Sequence, residues 1–175
     1  PGSDFIHAIQ KALPELDFIA EDLGFVTPEV RQLQEESGYP GMKVLQFAFD
    51  SRESSDYLPH TYPVISVCYS GTHDNMTMVQ WFQEAAPEDI ALAKAYLGLN
   101  EEEGLVRGVI RGCMGSVSKL CVIQMQDYLE LGASARMNFP GTLSANNWTW
   151  RARSGFMTEE LTKRIFETTR RYGRL

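Results

Sequence analysis

The chain has 175 residues, which is enough for one sizeable hydrophobic core and short for two. It carries 16 basic and 23 acidic side chains, a net charge of −7, and no lysine- or arginine-rich run, which argues against a nucleic-acid partner. Its longest apolar runs fall short of the roughly 20 residues that a membrane helix needs, so no membrane partner is expected. With 43% hydrophobic and 22% charged residues, the composition is that of an ordinary globular protein.

The three cysteines, Cys68, Cys113 and Cys121, are widely spaced and lie in apolar sequence. Because their number is odd and no CxxC pair occurs, the sequence predicts neither a disulfide framework nor a zinc knuckle. A reducing compartment is expected, the cytoplasm or, in a plant, the plastid. The first three residues include neither an initiator methionine nor the start of a signal peptide, so we expect a fragment, a processed form or a tagged chain.

The first predicted elements are a helix and a buried strand. Ser3 can cap the helix, whose apolar side chains would lie roughly on one face. Residues 18–20 are all apolar, which is typical of a short parallel strand that is buried on both faces. Glu21 and Asp22 follow this strand directly. Because two adjacent carboxylates are costly to bury, we expect them to lie at a surface or to take part in chemistry.

A second helix and a second strand come next along the chain. Thr27 supplies a capping hydroxyl, Pro28 suits the first helical position, and Gly38 can adopt the left-handed conformation that ends many helices. The second strand is expected over residues 42–49 and is followed by Asp50. A carboxylate therefore follows each of the first two predicted strands.

The rest of the chain continues this alternation after a polar loop at residues 51–63. The later elements are, in chain order, a strand at 64–69, helices at 76–84, 87–97 and 105–113, a fourth strand at 120–125, a long loop at 132–150 and a closing helix at 159–172. Such a series predicts an α/β protein with a parallel sheet.

Polar residues follow all four predicted strands. They are Glu21 and Asp22, then Asp50, then His73 and Asp74, and finally residues 124–127. In a (β/α)8 barrel the functional site is built from the loops at this end of the strands. A complete barrel has eight strands and about 250 residues, so four strands indicate half a barrel.

Glu21 and Asp74 could meet across the mouth of such a barrel. Retaining cleavage of a glycosidic bond needs a carboxylic acid and a carboxylate about 5–5.5 Å apart. Asp74 could equally be a helix cap or a hydrogen-bond acceptor within a loop, and His73 an ordinary loop imidazole. The spacing alone leaves these alternatives open.

Five segments of the chain form ordered motifs. They are residues 19–24 (IAEDLG), 38–49 (GYPGMKVLQFAF), 71–75 (GTHDN), 136–142 (RMNFPGT) and 147–151 (NWTWR). Together they resemble the 4-α-glucanotransferases, the amylomaltases or disproportionating enzymes of glycoside hydrolase family 77. The resemblance covers nearly the whole chain. It implies a retaining transglycosylase on an elaborated (β/α)8 barrel of the α-amylase clan, acting on α-1,4-glucans or maltooligosaccharides.

The resemblance also implies roles for individual residues. Glu21 would be the catalytic acid/base, and the apolar residues around it would favour its protonated form. Asp74 would be the third catalytic carboxylate, which grips ring hydroxyls as the sugar approaches an oxocarbenium ion, with His73 beside it. The residues expected at glucose subsites are Asp22, Asp50, His73 and Asn147, and those that could stack on sugar rings, unless they are core aromatics, are Tyr57, Tyr62 and Trp148.

One part of the machinery is not found in this sequence. The family's nucleophilic aspartate precedes the acid/base in an Arg-x-Asp-His-type motif, and neither Asp4 nor Asp17 has that context. We therefore expect residues 1–175 to be the C-terminal part of the barrel and to lack the half that carries the nucleophile. A smaller departure is Met76, where the family often has an acidic residue, and it concerns local solvation only.

An open half-barrel would expose a sheet edge and apolar surface. We expect such a chain to pair with its missing half, to self-associate or to aggregate. The alternative function is therefore a catalytically inactive half-barrel that binds glucan weakly or serves only in assembly.

Other kinds of site are disfavoured by the sequence. No cofactor is expected, because the acid and the nucleophile are both carboxylates, and His60 and His73 lack the spacing of metal ligands. Ser70 lies near a histidine and an aspartate but not in the G-x-S-x-G elbow of a serine hydrolase. Residues 111–116 lack the lysine and the spacing of a phosphate-binding loop.

Overall fold

The computed structural model describes residues 1–52 and 54–175. The helices and strands are, in chain order, α1 (Gly2–Ala12), α2 (Pro28–Ser37), β1 (Gly41–Val44), β2 (Ser66–Tyr69), α3 (Met78–Glu84), α4 (Pro87–Leu97), α5 (Leu105–Met114), β3 (Leu120–Val122), α6 (Met125–Tyr128) and α7 (Glu159–Arg171). Short 3-10 helices cover Leu45–Ala48, Pro59–Thr61 and Ala133–Ala135. Among the described residues, no helix has the length and apolar character needed to cross a membrane.

The sheet contains three parallel strands in the order β1-β2-β3. Gly41 pairs with Ser66, and Val67 pairs with Leu120. The expected α/β class with a parallel sheet is confirmed. Since all three strands point the same way, the segments that follow them lie together at the C-terminal ends of the strands.

The predicted strand at residues 18–20 is wrong, and the described residues form three strands instead of the expected four. The Ala20 N–H donates to the residue before β1 at 2.9 Å, as in a parallel ladder. The next ladder bond does not form, because the Met42 N–H donates to Oδ1 of Asp22 at 2.7 Å instead of to a backbone carbonyl. Ile19 is also 46% exposed, so the expected burial on both faces is lacking.

The second strand is shorter than predicted. It ends at Val44, and a 3-10 helix takes over, which places Leu45 and Ala48 three residues apart on one buried face. Phe47, which a continuous strand would pair with Leu45 on the same face, is partly exposed instead. At the N-terminus, α1 begins at Gly2, so the predicted cap by Ser3 is also wrong.

The predicted helices with clear end signals are confirmed. Oγ1 of Thr27 accepts the Val30 N–H, and Gly38 ends α2 with a φ of 70°. Helix α4 covers Pro87–Leu97 as predicted, with an N-terminal proline and a left-handed glycine after it. These ends depend on local chemistry, which the sequence shows directly.

The hydrophobic core lies between one face of the sheet and helices α3, α4 and α5. Its most buried members are Leu45, Ala48, Phe49, Cys68, Met78, Ala93, Val109 and Cys113. The cysteines are all free. Hydrogen bonding to Cys113 raises the pKa of the Cys68 thiol, and hydrogen bonding to Cys68 together with burial raises that of Cys121, so both stay protonated near neutral pH.

Candidate active site

The turn after β2 is held from both sides by the ends of the neighbouring strands. Gln46, after β1, and Gln124, after β3, donate from Nε2 to the Met76 carbonyl at 2.7 and 3.3 Å. A Cβ on Gly71 would lie 2.5 Å from Nε2 of Gln124 and 2.7 Å from Nε2 of Gln46. A side chain at position 71 would therefore displace the two amides that pack against its backbone. The expected convergence of the strand ends is observed for β1, β2 and β3.

Asn75 folds the turn that carries His73 and Asp74. Its Oδ1 accepts hydrogen bonds from the N–H and the hydroxyl of Thr72, both at 2.8 Å. The Asn75 N–H returns a bond to the Thr72 carbonyl at 3.0 Å. Such side-chain bonding fixes a tight turn. It leaves the Asp74 side chain 45% exposed.

Asp127 anchors this turn from the interior. Its Oδ2 accepts the Ser70 hydroxyl at 2.6 Å, and its Oδ1 accepts the N–H of Met78, the first residue of α3, at 2.7 Å. Asp127 is completely buried. Burial raises the pKa of its carboxyl above the usual 3.8, although these hydrogen bonds oppose the rise. Asp127 lies in the polar group predicted after the last strand, and the structure gives it a supporting position.

The long loop after α6 packs onto His73 and Asp74. Asn138 donates from Nδ2 to Oδ1 of Asp74 at 2.6 Å, and Nε2 of His73 lies 3.4 Å from the same oxygen. The ring of Trp148 lies 4.8 Å from the His73 ring. Within the described part of the chain, Oδ2 of Asp74 accepts no hydrogen bond. That oxygen can accept hydrogen bonds from the hydroxyls of a ligand.

Glu21 does not contact this cluster. It is exposed, and among the described residues no hydrogen bond or ion pair joins it to His73 or Asp74. Its position is set by its neighbours Ala20 and Asp22, which bond to the start of β1. The chain therefore presents an exposed acid beside β1 and a second, oriented carboxylate after β2.

Asp50 and Asn147 bond within their own segments. Arg52 donates to the two oxygens of Asp50 at 2.7 and 2.5 Å, and these bonds hold the pKa of Asp50 at about 2. Oδ1 of Asn147 accepts the Phe139 N–H at 3.1 Å, and Nδ2 donates to the Thr142 carbonyl at 3.2 Å. Asn147 thus closes the loop at residues 139–147. The role of both residues at glucose subsites stays a prediction.

The aromatic candidates differ in exposure. Tyr62 belongs to the core, where its hydroxyl donates to the Tyr57 carbonyl at 2.7 Å, so it is a core aromatic and cannot stack on a ligand. Tyr57 is half-buried and, with Asp22, lines a cavity of about 770 Å³ between α2 and the start of β1. Burial, with the nearby charge of Asp22, raises the pKa of Tyr57. Trp148 is the most exposed of the three.

Sequence reasoning overlooked Gln46, Asn138 and Arg136 as individual site residues. All three lie within the motif segments at residues 38–49 and 136–142, and this placement is the feature of the sequence that could have indicated them. Within residues 1–52 and 54–175, no cluster of three or more histidine, cysteine or acidic side chains is arranged to hold a metal ion. The chemistry that these residues offer is that of carboxylates, amides and an imidazole, which suits hydroxyl-rich ligands.

Comparisons with known proteins agree with this chemistry. The family model described as 4-alpha-glucanotransferase, glycoside hydrolase family 77, matches residues 1–158. A 4-alpha-glucanotransferase of Clostridium butyricum is 44% identical over 175 residues, and one of Solanum tuberosum, named as chloroplastic/amyloplastic, is 40% identical over 178 residues. These alignments cover 99% and 100% of this chain but 36% and 31% of the relatives. The chain therefore spans about a third of the length of the curated relatives it matches.

The fold of the chain is also similar to a solved structure. Amylomaltase from Streptococcus agalactiae, in complex with acarbose, superposes with a TM-score of 0.92 at 35% sequence identity. The match covers 99% of this chain and 35% of that protein. The arrangement of helices and strands described above is thus that of one part of a larger protein of this kind.

Proposed function

The chain belongs to the 4-alpha-glucanotransferase family, glycoside hydrolase family 77, and on that premise we propose that it forms part of an enzyme that transfers α-1,4-glucan segments between maltooligosaccharides or starch chains. The observation that carries the proposal is the family match over residues 1–158. Because a fold alone does not define a function, the site must support it as well. The oriented carboxylate of Asp74, with one oxygen open to a ligand, gives that support.

We propose that the chain is the C-terminal part of a catalytic (β/α)8 barrel of the α-amylase clan. Three observations support this: the strands are parallel, their spatial order follows the chain, and the polar groups converge after the strands. The free edge of β3, and the segment at residues 18–22 that bonds to the start of β1, would then face strands of the remaining barrel. The partner of this chain is accordingly the N-terminal half of the same enzyme.

Glu21 is the proposed general acid/base of a retaining, two-step reaction. In the first step a carboxylate nucleophile attacks the anomeric carbon while Glu21 gives its proton to the departing glycosidic oxygen. In the second step Glu21 removes the proton from the 4-hydroxyl of an acceptor glucan, whose oxygen displaces the nucleophile. Glu21 is exposed and unpaired within the described residues, so its carboxyl is free for these two transfers.

Asp74 is the proposed third carboxylate of the site. Its free Oδ2 would accept hydrogen bonds from ring hydroxyls, and these bonds strengthen as positive charge develops on the sugar. His73 lies against Oδ1 of Asp74 and would add a second polar contact to the same sugar. The remaining subsite residues are proposed to be Asp22, Asp50 and Asn147, the last through the loop that it closes.

The nucleophile is proposed to lie outside these 175 residues. Neither Asp4 nor Asp17 has the motif expected for it. No cofactor or metal is required in this scheme, since both reacting groups are carboxylates. The proposed location is the cytoplasm or, in plants, the plastid, and the latter is supported by plant relatives that are named as chloroplastic/amyloplastic.

The test is the reaction of maltotriose with the natural full-length protein that contains this chain. We expect glucose and longer maltooligosaccharides, and we expect Glu21→Gln to lower the rate by about 10²–10⁴-fold. Glu15→Gln is the matched control, because Glu15 is also exposed and lies on the same segment. Full turnover by Glu21→Gln would refute the acid/base assignment, and the absence of longer products from the unaltered protein would refute the transferase.

A second assay uses residues 1–175 alone. Because the proposed nucleophile lies elsewhere, we expect no products from maltotriose until the N-terminal half is added. Glucose and longer oligomers from this chain by itself would show that the nucleophile lies within it.

A further inference from the structure

We propose that Asn138 is a positioning residue that holds Asp74 so that one carboxylate oxygen is occupied and the other faces the sugar. This inference rests on the proposed transferase function and adds to it. Asn138 belongs to the long loop after α6, far along the chain from the turn that carries Asp74. Its side chain reaches that turn directly, with Nδ2 2.6 Å from Oδ1 of Asp74.

The contact is one of several hydrogen bonds that join the long loop to the turn at His73 and Asp74. The Asn138 N–H donates to the His73 carbonyl at 3.1 Å, so backbone and side chain of Asn138 both bind the turn. Arg136 donates from Nε to the Asn138 carbonyl at 2.9 Å and from Nη2 to the Asp74 carbonyl at 2.8 Å. The Arg136 guanidinium also lies over the Phe139 ring, 4.3 Å from its centre. These bonds fix the backbone of both segments, and the Asn138 amide then fixes the carboxylate.

Backbone strain at Trp148, in the same loop, indicates that the contacts of this loop hold its conformation. Trp148 has a φ of 62°, a conformation that is costly for a bulky residue and persists only where the surroundings enforce it. Its N–H donates to the Met137 carbonyl at 2.8 Å, and its ring packs on His73. The loop thus contacts the turn at two places, through Asn138 on Asp74 and through Trp148 on His73.

The contacts from Asn138 and His73 determine which oxygen of Asp74 is free. The terminal torsion of an aspartate is broad, so a 45% exposed carboxylate without a fixed donor would sample many orientations. Asn138 and His73 both approach Oδ1, which leaves Oδ2 at a defined position. A displacement of about 1 Å at a reacting centre can cost about 10²-fold in rate. The amide therefore acts on the reaction through Asp74, without touching the substrate.

The first test is Asn138→Ser in the full-length enzyme with maltotriose. The shorter neutral side chain cannot reach Oδ1, so we expect kcat to fall by at least about tenfold while KM changes by less than about twofold. A kcat within about twofold of the unaltered enzyme would overturn the proposal.

The second test adds charge at the same position with Asn138→Asp. A carboxylate would then face Oδ1 of Asp74, beside His73 and the Arg136 guanidinium, and one of the two acids would hold a proton more tightly. We expect the acidic limb of the kcat/KM profile to move up by about one pH unit. The matched control is Asn146→Asp, which puts the same charge on an exposed residue of this loop.

The outcomes separate this inference from the function on which it rests. If the unaltered enzyme forms no oligomers longer than maltotriose, the transferase proposal fails. If it does, and Asn138→Asp gives the same pH profile as Asn146→Asp, the positioning role fails while the function stands. Thermal unfolding of each variant shows whether it is folded, and Asn138→Ser decides the matter if Asn138→Asp does not fold.

Discussion

The two proposed catalytic carboxylates lie in regions that are built differently. Among residues 1–40, all of which the structure describes, only Ser37 is buried. The region from β1 to β3 contains nearly all of the buried core, and its turn with Asp74 is held by two strand ends and by Asp127. Asp74 is thus supported by a packed interior, whereas Glu21 is not.

The N-terminal region has directional contacts within itself and with β1. Gln10 of α1 donates to the Ser37 carbonyl at 3.0 Å, and the Phe18 ring lies 5.3 Å from that of Tyr39. The bond from the Met42 N–H to Asp22 then joins the segment with Glu21 to β1. Regions with little buried apolar surface open at low free energy. We therefore infer that the Glu21 segment is less stable than the turn that carries Asp74.

The largest effect is expected from a substitution in the well-packed region. Leu45 is completely buried, so Leu45→Ala should lower the free energy of unfolding by about 2–5 kcal/mol. Phe5 is 66% exposed on α1, and Phe5→Ala should change the free energy of unfolding by less than about 0.5 kcal/mol. Urea unfolding of both variants measures the difference. Equal losses would mean that the N-terminal region is packed as firmly as the core.

A smaller effect concerns the buried support of the Asp74 turn. In Asp127→Asn an amide replaces the oxygen that accepts the Ser70 hydroxyl, so we expect a loss of about 1–3 kcal/mol in the free energy of unfolding. The Met78 N–H keeps its acceptor in this variant, which limits the damage.

The same variant gives a pH signature. Because burial raises the pKa of Asp127 in the folded protein, the folded state binds the proton more tightly than the unfolded chain. The stability that this proton contributes is complete below the usual pKa of 3.8 and is lost as the pH rises through the folded-state value. Asp127→Asn lacks this titration, so its deficit relative to the unaltered protein should shrink as the pH rises. A deficit that grows with pH would contradict the assignment.

The two regions also differ in how well the sequence predicts them. Helix α4 and the end of α2 follow from local proline and glycine signals, and β2 and β3 lie within their predicted strands. The predicted strand at residues 18–20 is wrong because its formation depends on a partner outside the segment. Asp22 takes the hydrogen bond that a ladder would need, and an apolar run does not show this.

The sequence predicts the candidate site as a set of motifs, and it predicts the geometry of these residues only in part. His73 and Asp74 follow β2 as expected, and the resemblance named the segments that surround them. The bond from Asn138 to Asp74 joins residues 64 positions apart, so no local pattern contains it. The same holds for Gly71, because only the folded chain brings the Gln46 and Gln124 amides against the place that a Cβ would occupy.

The smallest expected effect tests the bond that fastens the Glu21 segment to the core. A Cβ on Gly41 would lie 2.5 Å from Oδ2 of Asp22, so Gly41→Ala must displace that carboxylate from the Met42 N–H. We expect a loss of about 1–2 kcal/mol in the free energy of unfolding. In an Asp22→Ala background the carboxylate that the added methyl group would meet is gone, and the same substitution should cost about 1 kcal/mol less. Additive losses in the four proteins of this cycle, measured by urea unfolding, would show that some other contact holds Glu21 beside β1.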